Sequence, residues 1–258
     1  MAITVIEYTL LTELRKSGLL PSRPRILELG EANWYGDVPL DQLISDTHQF
    51  VAAADRRSQL LEKLDHLIKT KPPHAPFDIA KIFYAAFFDY QSITAIDFHG
   101  TESALKIDLN QPVQLEAKYD LVINDGTGEH ICNIGQFLRT IHEVTVPGGI
   151  MYHNSPFSGW FDHGFYSINP TLYFDLARAN GYQILILVYG ELTPAKIVRI
   201  ERREQISAMV QNGQIGTNSC LCCLLQKARD DREFRFPMQG YYAGTISDES
   251  KAAWHTLR

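Results

Sequence analysis

The residues equipped for chemistry cluster in the middle of the chain. Asn124, Asp125, Glu129, His130, His153 and His163 are polar or titratable, and each lies at or near the end of an apolar run. A neutral imidazole accepts a proton near neutral pH, and a neighbouring carboxylate can orient or assist it. His130, His153 and His163 are therefore the candidate catalytic bases. His130 precedes Ile134, Phe137 and Ile141 at helical spacing, which predicts a place beside the inward stripe at a helix's first turn. A helix N-terminus there would keep the ring neutral. The competing reading is a core or capping histidine. His153 closes a strand candidate, and His163 follows Asp162 in an aromatic loop. His48, His66, His74, His142 and His255 have no motif around them and read as structural or surface residues. Asp125, Glu129, His130 and His153 could together hold a divalent ion. No spacing among them is a metal signature, so no metal is assigned.

These residues need a scaffold, and the stretch RILELGEANWYG, from Arg25 to Gly36, supplies its first edge. Ile26, Leu27 and Leu29 predict a buried strand. Gly30, Asn33 and Gly36 predict a turn-rich loop after it. A buried strand feeding a glycine-containing loop is how an open parallel α/β sheet presents a ligand-binding edge.

The remaining elements are placed around that edge. A helix is expected over residues 5–16, ended by Gly18 and Pro21. After Asp37 the chain is longer than a simple crossover needs, and residues 37–76 are read as a helical insertion or lid. FDIAKIFYAAFFDY is the crossover helix, and SITAIDFHG is the second strand, with Asp97 at its end. ALKIDLNQPV is read as a third strand ending at Asp108, and YDLVINDG as a fourth. A helix is expected from about Glu129, then a turn at Pro147–Gly149 and a fifth strand ending at His153. YQILILVYG and the cysteine-rich run NSCLCCLLQKA complete the strands, and residues 228–258 form a tail. Asn169, Pro170 and Gly181 bracket one further helix.

Composition narrows the classes. The 258 residues are 45% hydrophobic with a formal net charge of −6. That is enough for one large core, and a single domain over residues 1–258 is expected. The acidic balance argues against nucleic acid as partner. No apolar run is long enough to span a bilayer, so no membrane association is expected. Cys220, Cys222 and Cys223 lie in one apolar run whose neighbours alternate faces, which disfavours a shared metal. No disulfide framework is indicated, and a cytoplasmic location is expected.

The ordered set resembles the class I S-adenosylmethionine-dependent methyltransferases. It comprises a strand with an acidic residue and glycine loop, strands ending in Asp97 and in Asp108-Leu109, the strand YDLVIND, and PGG before a fifth strand. The resemblance spans roughly residues 25–227. It departs at the first loop, where GEANWYG stands in place of the family's GxGxG. It implies an α/β, Rossmann-like doubly wound sheet of seven mostly parallel strands. It also implies S-adenosylmethionine as cofactor, held by Glu28, Gly30, Asn33 and Trp34, by Asp97 and Phe98, by Asp108 and Leu109, and by Asn124, Asp125 and Gly126. Asp97 would accept the ribose hydroxyls, and Asp108 with Leu109 would read the adenine. A nicotinamide enzyme is disfavoured because G-x-G-x-x-G is missing.

Phe157, Trp160, Phe161 and Tyr166 stand in FSGWFDHGFYSI. They either wall an apolar acceptor pocket or bury the loop under the insertion helices. The expected function is methyl transfer to an O or N atom of a small, partly apolar molecule. The alternatives are a metal-assisted hydrolase or isomerase on the same fold, and a non-catalytic interaction protein that retains it.

Overall fold

The computed structural model describes residues 2–256. Along the chain run β1 (Ala2–Ile3), α1 (Val5–Ser17), β2 (Arg25–Leu29), β3 (Asn33–Trp34), α2 (Leu40–Phe50), α3 (Ala54–Thr70) and α4 (Ala75–Phe88). There follow β4 (Ser92–Ile96), β5 (Tyr119–Asp125), a single 3-10 turn over Gly128–His130, α5 (Ile134–Val144), β6 (Thr145–Ser158) and α6 (Pro170–Asn180). The chain closes with β7 (Gln183–Leu192), β8 (Ala195–Arg199), α7 (Arg203–Gln211), β9 (Ser219–Gln226) and α8 (Asp248–Thr256). Among the described residues β1 pairs with β3, and the other strands form one mostly parallel seven-stranded sheet in the order β4-β2-β5-β6-β9-β7-β8. The chain divides into two compact units. The first holds the residues up to Ile107 with Tyr119–Asp125, and the second holds Asp108–Lys118 with Gly126 onward.

In the first unit β2 lies parallel between β4 and β5, with Leu29 in register with Ile96 on one side and Asn124 on the other. Ile26, Leu27 and Leu29 are fully buried, as expected of a run apolar on both faces. Arg25 fixes the start of β2 by donating its backbone N–H and guanidinium to Asp120. Helix α1 begins at a capping box in which Thr4 and Glu7 satisfy each other's termini, and it ends on the left-handed Gly18. Tyr8 of α1 meets Phe83 and Phe87 of α4, at ring separations of 5.1 and 5.4 Å. The expected helical insertion holds α2 and α3.

The expected third strand does not form. Leu105 makes one isolated parallel bridge to Ile96, and Lys106 donates its ammonium to the carbonyls of Asp97, Gly100 and Thr101. Parallel neighbours need a crossover of roughly a dozen or more residues. Only Asp97 to Ala104 separates the two segments, so the chain touches β4 once and turns away.

In the second unit β9 lies between β6 and β7 and is antiparallel to both, and β8 hangs on the far side of β7. The seventh strand of the sheet is thus β8, which carries Lys196 and Arg199 and was not expected. Strand β6 also differs from expectation. It runs through Pro147–Gly149 and past His153 to Ser158, because the apolar run of β9 offers it a partner from Ile150 to Ser158. His153 therefore sits inside the strand, opposite Cys223. Cys220, Cys222 and Cys223 are buried, and Cys132 is exposed. The buried Lys227 donates to the carbonyls of His142 and Thr145 at the end of α5, where a cation is favoured. In the tail, Tyr241 stacks on Trp254 of α8 at 4.8 Å.

Candidate functional site

The first unit gathers the carboxylates at the end of β2. Gly30 leaves the strand at φ 92°, a conformation that favours glycine, and its N–H donates to the carbonyl of Ile96 at 2.7 Å. The next residue, Glu31, donates its backbone N–H to Asp97 Oδ2 at 2.8 Å. Asp97 Oδ1 accepts from the N–H groups of His99 and Gly100 at 2.7 and 2.9 Å. One carboxylate thus ties the glycine loop to the turn after β4.

Glu28 is fully buried. It accepts the N–H of Ala32 at 3.2 Å and is paired with the Lys81 ammonium. Burial raises its pKa, and Lys81 opposes that rise. Lys81 also lies 3.5 Å from Glu31, whose carboxylate accepts from the Thr101 N–H and hydroxyl. Two buried carboxylates and one ammonium leave this corner with a formal charge of −1. A cavity of about 600 Å³ opens beside it, lined by Glu31, Phe77, Lys81, Thr101 and Ser103 among others.

Glu31 and Lys81 were missed by sequence reasoning. The signal was present as a second carboxylate after Glu28, in GEANWYG, and a lone lysine on the mostly apolar helix FDIAKIFYAAFF. Of the other expected cofactor residues in this unit, Asn33 and Trp34 form β3. Trp34 packs on Tyr8 and Phe83 in the aromatic core, and its buried indole N–H has no hydrogen-bond partner among the described residues. Phe98 is exposed, while Asn124 and Asp125 end β5 as buried residues.

In the second unit, Asp108 accepts from the backbone and side-chain N–H groups of Asn110, both at 2.9 Å. These bonds lower its pKa. Leu109 beside it is buried. Gly126, at φ 74°, turns the chain into the 3-10 turn, and its N–H donates to the carbonyl of Asn154. The expected helix at Glu129 is thus only this turn, and α5 starts later, where Asn133 caps it by accepting from Gln136. The side chain of Glu129 points inward and is 1% exposed, whereas His130 is exposed.

The loop after β6 returns to this turn. Trp160 and Asp162 both adopt positive φ, 56° and 59°. Non-glycine residues hold such angles only where their surroundings impose them. Here Trp160 donates its backbone N–H to Asn218 and its indole N–H to the carbonyl of Ser219, both at 2.9 Å. The Tyr166 hydroxyl donates to Cys132 O at 2.7 Å, and the Phe165 N–H donates to Glu129 O at 2.7 Å. Gly164 fits because a Cβ there would lie 3.0 Å from that same oxygen and 3.2 Å from His130 Nδ1.

Held this way, His163 Nε2 lies 3.7 Å from Glu129 Oε1, and its ring lies 4.9 Å from His130 and 5.0 Å from Trp160. Burial pushes the Glu129 carboxyl up to about 7 and draws His130 down, with His163 adding to the latter. Glu129 Oε2 is buried with no hydrogen-bond partner among the described residues.

The structure therefore brings His130 and His163 together around Glu129. It sets His153 inside β6 with its ring 5.7 Å from Tyr173, where burial draws its pKa down to about 4. Among the aromatic residues, Trp160 and Tyr166 anchor the loop and Phe161 is 90% exposed. Phe157 lines a different cavity of about 650 Å³, beside Pro170, Ile206, Val210 and Trp254. No helix among the described residues is long and apolar enough to cross a membrane.

Comparison with solved structures finds distant likenesses. The chain is similar to the N-methyltransferase NodS from Bradyrhizobium japonicum WM9 at 13% identity and a TM-score of 0.41, covering 86% of this chain and 95% of that one. The same protein in complex with S-adenosyl-l-homocysteine is similar at 13% identity and a TM-score of 0.42, with 86% of each chain covered. The N-terminal domain of EvdMO1, solved in the presence of SAH and D-fucose, is similar at 14% identity and a TM-score of 0.30, covering 85% of this chain and 83% of that one. No protein-family model matches the chain, and no curated protein matches it.

Proposed function

We propose that the protein transfers the methyl group of S-adenosylmethionine to an O or N atom of a small, partly apolar molecule. The observation that carries this reading is the bond from the Glu31 N–H to Asp97 Oδ2, which joins the glycine loop after β2 to the carboxylate after its parallel neighbour β4. In a parallel α/β sheet that edge is where a nucleoside-bearing ligand is held. A sulfonium cofactor is cationic, and the negative corner formed by Glu28, Glu31 and Lys81 suits it. Asp97 would take the ribose hydroxyls.

Methyl transfer is a displacement at a carbon that the sulfonium already activates. The protein has mainly to place the acceptor and accept its proton. Glu129, with His130 and His163 beside it, is the group suited to that proton. Its carboxyl is held near neutrality by burial, so it is a stronger base than an ordinary carboxylate. The exposed aromatic Phe161 and its neighbour Trp160 suit an acceptor with an apolar face.

Calorimetric titration with S-adenosylmethionine tests this reading. Saturable binding is expected, weakened about tenfold or more in Asp97→Asn, the loss associated with a hydrogen bond to a charged group. No heat at millimolar cofactor would sink it.

A further inference from the structure

We infer that Glu129, His130 and His163 form a site for a first-row divalent transition-metal ion, with zinc as the representative case. Each residue offers one ligand atom, and the three atoms lie within 4.8 Å of one another. The donor set is two imidazole nitrogens and one carboxylate oxygen. Imidazole suits zinc, cobalt, nickel and copper, whereas magnesium and calcium prefer all-oxygen sets.

A second observation points to a ligand. Glu129 is 1% exposed, and its Oε2 has no hydrogen-bond partner among the described residues. A buried acceptor left unsatisfied costs roughly 1–3 kcal/mol. A proton on that oxygen would not remove the deficit, because the new O–H would also need a partner. A cation chelated by both oxygens of the carboxylate, with the two rings beside it, satisfies Oε2 as well as Oε1.

The geometry is close to what an ion needs. Ligand bonds of about 2.0–2.1 Å in a tetrahedral set put ligand atoms about 3.4 Å apart. Oε1 of Glu129 and Nε2 of His163 are already at 3.7 Å. Glu129 is the fixed member. His130 and His163 are exposed and can turn towards it. Three protein ligands on a solvent-facing edge leave the fourth position to water, the arrangement of an open zinc site.

Ion and proton compete for the same lone pairs. The metal-loaded cluster is thus an alternative state of the group assigned above to the acceptor's proton. Binding itself needs neither cofactor nor acceptor, so it is measured apart from methyl transfer.

The test is direct binding to the full chain after dialysis against a chelator. Cobalt(II) is titrated with visible spectroscopy, and zinc then displaces it. One equivalent should bind with d–d bands of a mixed nitrogen and oxygen set. Glu129→Gln and His163→Gln, with folding checked by circular dichroism, should each weaken binding about tenfold or more. Met238→Ala, at an exposed position given no role here, should leave it unchanged. Absence of saturable binding at about 100 µM cobalt, an affinity far below that of an imidazole-rich site, would overturn the proposal. Equal binding by the wild type and both ligand variants would overturn it too, marking an adventitious ion only.

Discussion

Nε2 of His163 stands 3.7 Å from Oε1 of the buried Glu129, brought there by a loop anchored through Trp160 and Tyr166. A histidine on an exposed loop and a carboxylate from a 3-10 turn thereby become one chemical unit.

Burial gives Glu129 a pH response of its own. Its carboxyl is raised to about 7, against 4.5 ordinarily. The folded state therefore holds a proton that the unfolded chain releases earlier, so stability falls as pH rises from about 4.5 to 7. The full loss is about 3 kcal/mol at 1.36 kcal/mol per unit. Glu129→Gln should remove this slope and unfold at higher denaturant than the wild type at pH 8, but not at pH 4.5. Equal differences at both pH values would contradict the assignment. Methyl transfer by the wild type should rise through about pH 7, and the variant should lose that limb with roughly 10²- to 10⁴-fold of its rate.

His153 behaves in the opposite sense. Burial draws its pKa from 6.5 to about 4. As pH falls through that window the unfolded chain takes up a proton that the folded one refuses, and stability drops by up to about 3 kcal/mol. In His153→Gln, denaturant midpoints between pH 6.5 and 4 should lie on a flatter curve. An unchanged acid limb would show that His153 is not the group responsible.

Lys81 and Glu28 form a buried pair that can be tested by breaking it. Lys81→Met leaves Glu28 buried without its counter-charge, at a cost of about 3–5 kcal/mol. Adding Glu28→Gln removes the stranded charge and should recover most of the loss. Urea unfolding of the two single variants and the double reads this as a coupling energy, and strict additivity would rule the pair out.

Tyr166→Phe separates loop placement from global stability. The lost hydrogen bond to Cys132 O is worth about 1 kcal/mol. The unfolding midpoint should barely move, while methyl transfer falls several-fold because His163 is no longer held against Glu129. A rate equal to that of the wild type would show that the loop needs no such anchor.

Local pattern revealed some of these features and long-range contact the rest. The run Ile26–Leu29 announced a buried strand, the helical pattern of residues 5–16 stopped by Gly18 announced α1, and Asp97 could be placed at a strand end from its neighbours alone. Leu105 misled because its segment has a strand's composition but too short a connection to pair beyond one bridge. The long β6 was hidden because its length depends on β9, far away in sequence. Lys81 was overlooked because its partner Glu28 lies on another element, and His163 could not be tied to Glu129 because two positive-φ residues in the loop bring them together.

The proposed function turns on a sulfonium cofactor seated at the carboxylate edge of β2 and β4. A crystal structure with S-adenosylhomocysteine would reveal that seat. Both ribose hydroxyls are expected within hydrogen-bond distance of the Asp97 carboxylate. A ligand bound away from Asp97, or none in crystals soaked at millimolar concentration, would contradict the proposal.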